Sequence, residues 1–367
     1  MKFAAERDTL LKSIAAAGRA AGGGIMGDTP ALHLSLVGDC LTTRGADPDL
    51  TIRSACAVDG TKDGTVVVPA RLTIEIVKSF GPGAVVLTVA DDVAITSGRA
   101  EFHVRSLDGV TLPEHDAPEG MVAIDAVPFV EGLRQVVRAA LKDDSRAPTL
   151  TGVLAVQTDT GLRLVATDSY RLAVKDIPGI TAVSDAAGVI LPSRALSEVQ
   201  HLIGNDLDTI AFGSTKLDAV FAIDGTTLTT RLINGQYPDY QRLLPASYPY
   251  SFVANRMELL EAIKRVRVII RDAKDATTPV RLALTDAGMM IEVQIPETGN
   301  ATDIVNGKFE GDEINVAFNP TYLIDGLDAV ATDDVVLQVI NSVKPATLKG
   351  VDDDSYLYLL MPVKVSS

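Results

Sequence analysis

Tryptophan is absent from the 367 residues, cysteine occurs twice and histidine four times. Such scarcity leaves little material for a metal centre: His33, His103, His115 and His201 stand without a Cys, Asp or Glu at ligand spacing, so neither metal nor cofactor is expected. No Ser-His-acid order and no Gly-x-Ser-x-Gly elbow occurs, which argues against the common hydrolase designs and against an enzyme altogether. Cys40 and Cys56 lie among Val, Leu and Ala and are predicted to be two buried, reduced thiols. No apolar run of about 18 residues exists to span a membrane. The charged opening Met1-Lys2-Phe3-Ala4-Ala5-Glu6-Arg7-Asp8 is unlike a secretion signal, so the expectation is a cytoplasmic protein with no membrane partner. Positive charge is also short. Lys and Arg total 33 against 48 Asp and Glu, a net charge of −15, and that field repels a polyanion at long range. A nucleic-acid role would need basic residues segregated onto one face.

What is present is an internal repeat. Three segments open alike. Phe3-Ala4-Ala5 leads to Leu10-Leu11-Lys12-Ser13-Ile14, Val122-Ala123-Ile124 to Phe129-Val130-Glu131-Gly132-Leu133, and Phe252-Val253-Ala254 to Leu259-Leu260-Glu261-Ala262-Ile263. Each reads as a short strand feeding an amphipathic helix. Further along, each has a second strand, break and helix: Val66-Val67-Val68-Pro69-Ala70-Arg71-Leu72, Val189-Ile190-Leu191-Pro192-Ser193-Arg194 and Val316-Ala317-Phe318-Asn319-Pro320-Thr321-Tyr322-Leu323. Proline suits a first helical turn, where its missing N–H costs nothing. Between the helices run alternating segments punctuated by Asp-Gly, Asn-Gly and Thr-Gly turns, the pattern of antiparallel hairpins. The repeat unit, about 120 residues, is long enough to hold its own core and too long for a solenoid. The predicted class is α+β: three domains, at 1–120, 121–247 and 248–367, each with two helices packed on antiparallel sheet.

The helices hold much of the positive charge. In the first helix of the middle domain, Arg134, Arg138 and Lys142 recur beside the apolar stripe Phe129, Leu133, Val136, Val137 and Ala140. The matching helix of the last domain carries Lys264, Arg265, Arg267, Arg271 and Lys274, and that of the first domain Lys12 and Arg19. Arg71, Lys78 and Arg194 lie on the second helices. Basic helix faces that reach phosphates but not base edges would hold duplex DNA weakly and without sequence preference. Gly22-Gly23-Gly24-Ile25-Met26-Gly27 matches G-x-G-x-x-G with Asp47 beyond it, but it follows a helix and leads into Pro30 and a strand. A phosphate there would meet no helix N-terminus, so the run reads as a loop.

Three further stretches carry a family resemblance: Ala166-Thr167-Asp168-Ser169-Tyr170-Arg171-Leu172-Ala173-Val174, Asn234-Gly235-Gln236-Tyr237-Pro238-Asp239-Tyr240, and Tyr358-Leu359-Leu360-Met361-Pro362-Val363-Lys364. With the threefold repeat and the Met-Lys-Phe start, the chain resembles the beta subunit of bacterial DNA polymerase III, the beta sliding clamp, over its whole length. The resemblance implies the DNA-clamp fold and a head-to-tail homodimeric ring around duplex DNA, with helices lining the hole. It further implies that the replicative polymerase, the clamp loader and repair polymerases insert short apolar peptide motifs into a cleft between the second and third domains. That cleft would use Leu150, Thr167, Ser169, Tyr170, Arg171, Leu172, Pro238, Arg242, Leu243, Asn319, Tyr322, Val343, Leu359, Leu360, Met361, Pro362, Val363 and Lys364. Aliphatic walls and an aromatic suit an apolar peptide, while Arg171, Arg242 and Asn319 are expected to fix its backbone. For the ring interface the resemblance sets Val268 and Ile269 against the partner's Glu101–Arg105 strand, with Phe102 and Val104 as candidates. The Arg19–Leu32 segment departs from the family: glycines and Asp28 stand where a basic loop residue is common, which predicts weaker DNA contact. The alternatives are a diverged second clamp, one that escapes a cleft-directed inhibitor, and a clamp-fold scaffold that does not encircle DNA.

Overall fold

Each repeat yields one pair of helices: α1 (Arg7–Gly18) and α2 (Ala70–Ser79), α3 (Ala126–Val136) and α4 (Ser193–Leu202), α5 (Arg256–Arg267) and α6 (Pro320–Ala329). The computed structural model describes residues 1–22, 29–107, 118, 120–142, 147–183, 187–204, 207–270, 278–296 and 298–364. Residues 23–28 of the glycine run, His115, Arg271 and Lys274 lie outside them. The helix starts obey local chemistry. Asn255 caps α5 by accepting the N–H groups of Met257 and Glu258, both at 3.1 Å. Asn319 caps α6 by accepting the Thr321 N–H at 2.9 Å, and Pro320 fills the first turn. The apolar spacing buries Leu259, Leu260, Ile263 and Val266 of α5 and Leu323, Ile324 and Leu327 of α6. No helix among the described residues is long and apolar enough to cross a membrane.

The chain divides into two units. The first comprises Met1–Val127 and Arg194–Leu232. It holds a five-stranded sheet, in the order Asp59–Lys62, Lys2–Glu6, Ala84–Val89, Val93–Ser97 and Ala100–Val104. Its eight-stranded sheet is built across two repeats: Thr226–Arg231 of the second pairs antiparallel with Leu50–Ala57 of the first, Thr226 opposite Ser54. At that seam the Thr226 hydroxyl donates to Ser54 Oγ at 3.1 Å. Helix α1 lies close on this sheet. A Cβ on Gly45 would fall 2.1 Å from the Ala17 carbonyl oxygen, so only a residue without a side chain permits the approach. Cys40 is exposed and Cys56 half-buried, both as free thiols, which corrects the expectation of two buried ones. Cys40 sits at the tip of a hairpin opposite exposed Val37, and a tip protrudes whatever the composition around it.

The second unit comprises Pro128–Ser193 and Ile233–Ser367. Its nine-stranded sheet also joins two repeats, through Arg171–Pro178 paired antiparallel with the terminal strand Tyr356–Leu360. Tyr356 and Tyr358 of that strand are fully buried. A four-stranded sheet runs Gly299–Val305, Gly288–Ile295, Val280–Thr285 and Ile314–Phe318, with Leu282, Leu284, Ile291 and Phe318 facing inward. In each unit a sheet crosses the repeat boundary, and in the second unit a core cluster does as well.

Candidate peptide cleft and basic helix faces

The Ala166–Val174 stretch forms a hairpin with a tight turn. Asp168 Oδ1 accepts the N–H groups of Tyr170 and Arg171 at 2.9 and 3.0 Å, and the Thr167 hydroxyl donates to the Arg171 carbonyl at 2.6 Å. These bonds hold Ser169 at φ 76°, a left-handed conformation. The turn sends the Tyr170 ring outward, 63% exposed, and Arg171 inward, 5% exposed. Leu172 then pairs opposite Leu359, and both are buried with Leu154, Ile190 and Tyr240. Beyond the terminal strand, the Met361 N–H donates to the Tyr170 carbonyl at 2.9 Å and the Val363 N–H to the Ala317 carbonyl at 2.8 Å. The tail therefore ties the nine-stranded sheet to the four-stranded one.

The predicted cleft residues separate into a floor and a rim. Leu150, Thr167, Leu172, Leu359 and Leu360 are buried, and Asn319, Tyr322, Pro362 and Val363 half-buried. Tyr170, Leu243, Val343 and Met361 are exposed large apolar side chains. Ser169, Pro238, Arg242 and Lys364 are exposed beside them, with Arg242 paired to Asp239 at 2.7 Å. They do not share one cavity. Val343, Val363 and Lys364 line a space of about 540 Å³, while Pro238 lines another of about 720 Å³ with Leu154, Ile190, Tyr237 and Tyr240.

Arg171 does not have the chemistry expected of it. Its Nε donates to Asp168 Oδ2 at 2.9 Å, its other nitrogens to Asp325, to the Tyr358 hydroxyl at 3.3 Å and to the Arg138 carbonyl at 2.5 Å. The guanidinium also lies over the Tyr322 ring, 4.4 Å from its centroid. Burial pushes the Tyr358 hydroxyl above its ordinary pKa, so it stays neutral as Arg171's acceptor. Buried and engaged on every side, Arg171 holds the floor together and is not free to bind a peptide backbone. The Asn319 side-chain Oδ1 is likewise engaged as the cap of α6.

Arg134 and Arg138 are also engaged. Arg134 donates to the Asp328 carbonyl at 2.8 Å, Gln135 to the Ala329 carbonyl at 2.7 Å and Arg138 to the Asp325 carbonyl at 3.2 Å. The Asp328 and Ala329 carbonyls end α6, lack partners within it and carry the negative end of its dipole, and the Asp325 carbonyl stands one turn before them. The basic stripe of the middle domain is thus a C-terminal cap for α6.

The other predicted DNA-facing cations are mostly paired with acids. Lys12 meets Asp224 at 2.8 Å, Arg19 meets Glu198, Arg194 meets Asp47 at 2.5 Å and Lys264 meets Glu261 at 3.1 Å. Asp47, beyond the glycine motif, also closes its own turn by accepting the N–H groups of Asp49 and Leu50. Arg71, Lys78 and Arg267 have no ion pair among the described residues. Arg271 lies outside those residues.

Of the proposed interface residues, Phe102 and Val104 stand on an edge strand, and Val268 and Ile269 on the 3-10 turn Val268–Ile270 that follows α5. Ala100–Val104 ends the five-stranded sheet, and Gly299–Val305 ends the four-stranded one. Phe102 is 39% exposed and tilts onto Phe80 at 5.7 Å, whereas Val104 is buried in the unit's own core and presents no surface to a partner. Val268 is exposed and Ile269 half-buried. On the same edge strand, His103 Nδ1 lies 2.8 Å from Asp92 and Nε2 lies 3.3 Å from Glu101. The bond to Asp92, then its charge and that of Glu101, raises the His103 pKa above the ordinary value. Since the partners are gained on folding, the stabilisation is full below the unfolded pKa and is lost as pH rises through the raised folded one. An NMR titration should find the His103 midpoint elevated and Asp92→Asn should bring it down; a midpoint indifferent to Asp92→Asn would refute the pairing.

Comparison with known proteins matches residues 1–116, 124–239 and 241–364 to the N-terminal, central and C-terminal domains of the DNA polymerase III beta subunit. The chain is 30% identical over 390 residues to the beta sliding clamp of Streptomyces coelicolor, with 100% of both chains covered. It is 30% identical over 338 residues to the beta sliding clamp of Synechococcus elongatus, covering 89% of this chain and 88% of that one. The solved sliding clamp of Bacillus subtilis superposes with a TM-score of 0.89 at 26% identity, over 100% of both chains. A Pseudomonas aeruginosa sliding clamp bound to griselimycin shares the fold, with a TM-score of 0.90 at 24% identity over 100% of both chains.

Proposed function

This chain belongs to the family of the bacterial DNA polymerase III beta subunit and has its three-domain clamp fold, and from that premise we propose that two copies close head to tail around duplex DNA and tether polymerases through the cleft. The observation that carries the tethering reading is the exposed apolar rim of Tyr170, Leu243, Val343 and Met361 around a floor fixed by Arg171 and the C-terminal tail. Large apolar side chains left exposed on one unit fit an apolar peptide, whose burial would complete what the chain leaves open. A rigid floor also lowers the ordering cost of binding. The polymerase, the clamp loader and repair polymerases are the partners this reading assigns, each through a short apolar motif.

Fluorescence anisotropy with a labelled peptide of two leucines and a phenylalanine tests the cleft. Leu243→Asp and Tyr170→Ala, both at exposed positions, should each weaken binding by at least about 30-fold, the scale of a hot-spot loss. Unchanged affinity in both variants would place the peptide elsewhere. The pairing of Lys12, Arg19, Arg194 and Lys264 with carboxylates favours one other reading, a clamp-fold scaffold that does not hold DNA, and that reading is decided by topology on circular DNA.

A further inference from the structure

The outer face of the four-stranded sheet carries a trough that the cleft does not account for. Strand register sets Glu292, Arg281 and Ala317 on one rung and Met290, Ala283 and Asn315 on the next. Directly opposed residues of antiparallel strands share a face. The side chains between them, Leu282, Ile291 and Val316, point into the core. Ala283 at the centre of one rung and Ala317 at the edge-strand end of the other leave a floor too shallow to fill the space between Met290, 42% exposed, and Val343, 55% exposed. The result is the cavity of about 540 Å³, and its wall includes Val343, Val363 and Lys364, residues assigned above to the peptide cleft. Cleft and trough are therefore continuous.

Charge and backbone indicate what would lie there. In a chain of net charge −15, this lining carries Arg281 and Lys364 against the single acid Glu292. A segment with carboxylates would be drawn here and repelled by most of the remaining surface. Ile314–Phe318 is an edge strand: its Ala317 carbonyl pairs with the Val363 N–H of the tail, and the rest of that edge has no strand partner among the described residues, which suits an extended chain.

We propose that this trough binds an extended, acidic and apolar segment of a partner protein, directly flanking the apolar motif held in the cleft. The proposal rests on the cleft reading for its anchor. It makes affinity depend on the residues beside the motif, so that partners with the same anchor are ranked by their flanks.

Anisotropy titrations would compare the leucine-phenylalanine peptide with versions extended at either end by Gly-Asp-Leu-Asp or Gly-Lys-Leu-Lys. At one end the acidic extension should tighten binding about fivefold and the basic one should not. Ala283→Glu and Arg281→Glu should remove that gain while leaving the short peptide within about twofold of its original affinity, because both positions lie outside the cleft. Equal affinities for all extensions, or a gain that survives Ala283→Glu, would overturn the proposal. The free Gly-Asp-Leu-Asp peptide, followed by methyl chemical shifts of Ala283 and Ala317, tests the trough without the anchor. Shifts there, lost in Arg281→Glu, would support it even if the short peptide failed to bind and the cleft reading fell; no shifts at saturating peptide would overturn it.

Discussion

Replacing Arg171 by methionine should destabilise the second unit by about 3–5 kcal/mol, read as a lower urea midpoint, because it strands a buried carboxylate. Asp168 is 8% exposed and has Arg171 as its cationic partner, and Arg171 also joins Asp325, Tyr358, the Arg138 carbonyl and the Tyr322 ring. Lysine should not rescue: a single ammonium cannot serve Asp168, Asp325 and a carbonyl at once, nor stack flat on the ring. Arg138→Glu should also destabilise, since it would set an acid against the C-terminal carbonyls of α6. The contrasting outcome is informative. An Arg171→Met variant with an unchanged urea midpoint and lost peptide binding would make Arg171 a ligand contact, as sequence reasoning expected, and not a keystone.

Helix and strand positions were legible because their signals are local. The apolar spacing of α5 and α6, and Pro320 in a first turn, mark these helices without reference to anything distant. The Asp168-Ser169-Tyr170 turn was visible as a motif, but its interior was not. Arg171 looks like any surface cation until Asp325, 154 residues away, is brought against it. For the same reason Arg134 and Arg138 read as a DNA-facing stripe: the α6 carbonyls that they cap leave no mark on their own helix. Pairing across repeats, such as Thr226–Arg231 with Leu50–Ala57, was hidden because alternation specifies a strand's faces and not its neighbour. Val104 was misjudged on that ground too, since alternation on an edge strand leaves open which face its own core covers.

If two copies encircle DNA as proposed, the duplex itself should be held weakly. With Lys12, Arg19, Arg194 and Lys264 each against a carboxylate, phosphates must displace acids before they gain a cation. The exposed pairs, Lys12 with Asp224 and Lys264 with Glu261, are weak and exchange readily, while Arg19 and Arg194 are tied to half-buried Glu198 and buried Asp47, so all four contribute little attraction. Each phosphate neutralised steepens the salt dependence by about 0.9 logarithmic units, and with Arg71, Lys78, Lys142 and Arg267 the cations of the predicted basic faces that lack an ion pair among the described residues, the slope should be shallow. Binding to linear duplex should accordingly be weak at ordinary salt. Retention would then have to come from closure of the ring. A chain of net charge −15 that stays on DNA without gripping it is a chain that can slide.

Loading onto nicked circular DNA by a clamp loader, followed by linearisation, separates topology from affinity. The protein should stay on the circle through gel filtration and leave once the circle is cut, with salt having little influence on either result. Equal loss from circle and linear DNA, or failure to associate with the circle at all, would contradict the ring and leave this chain with the clamp fold but not its function.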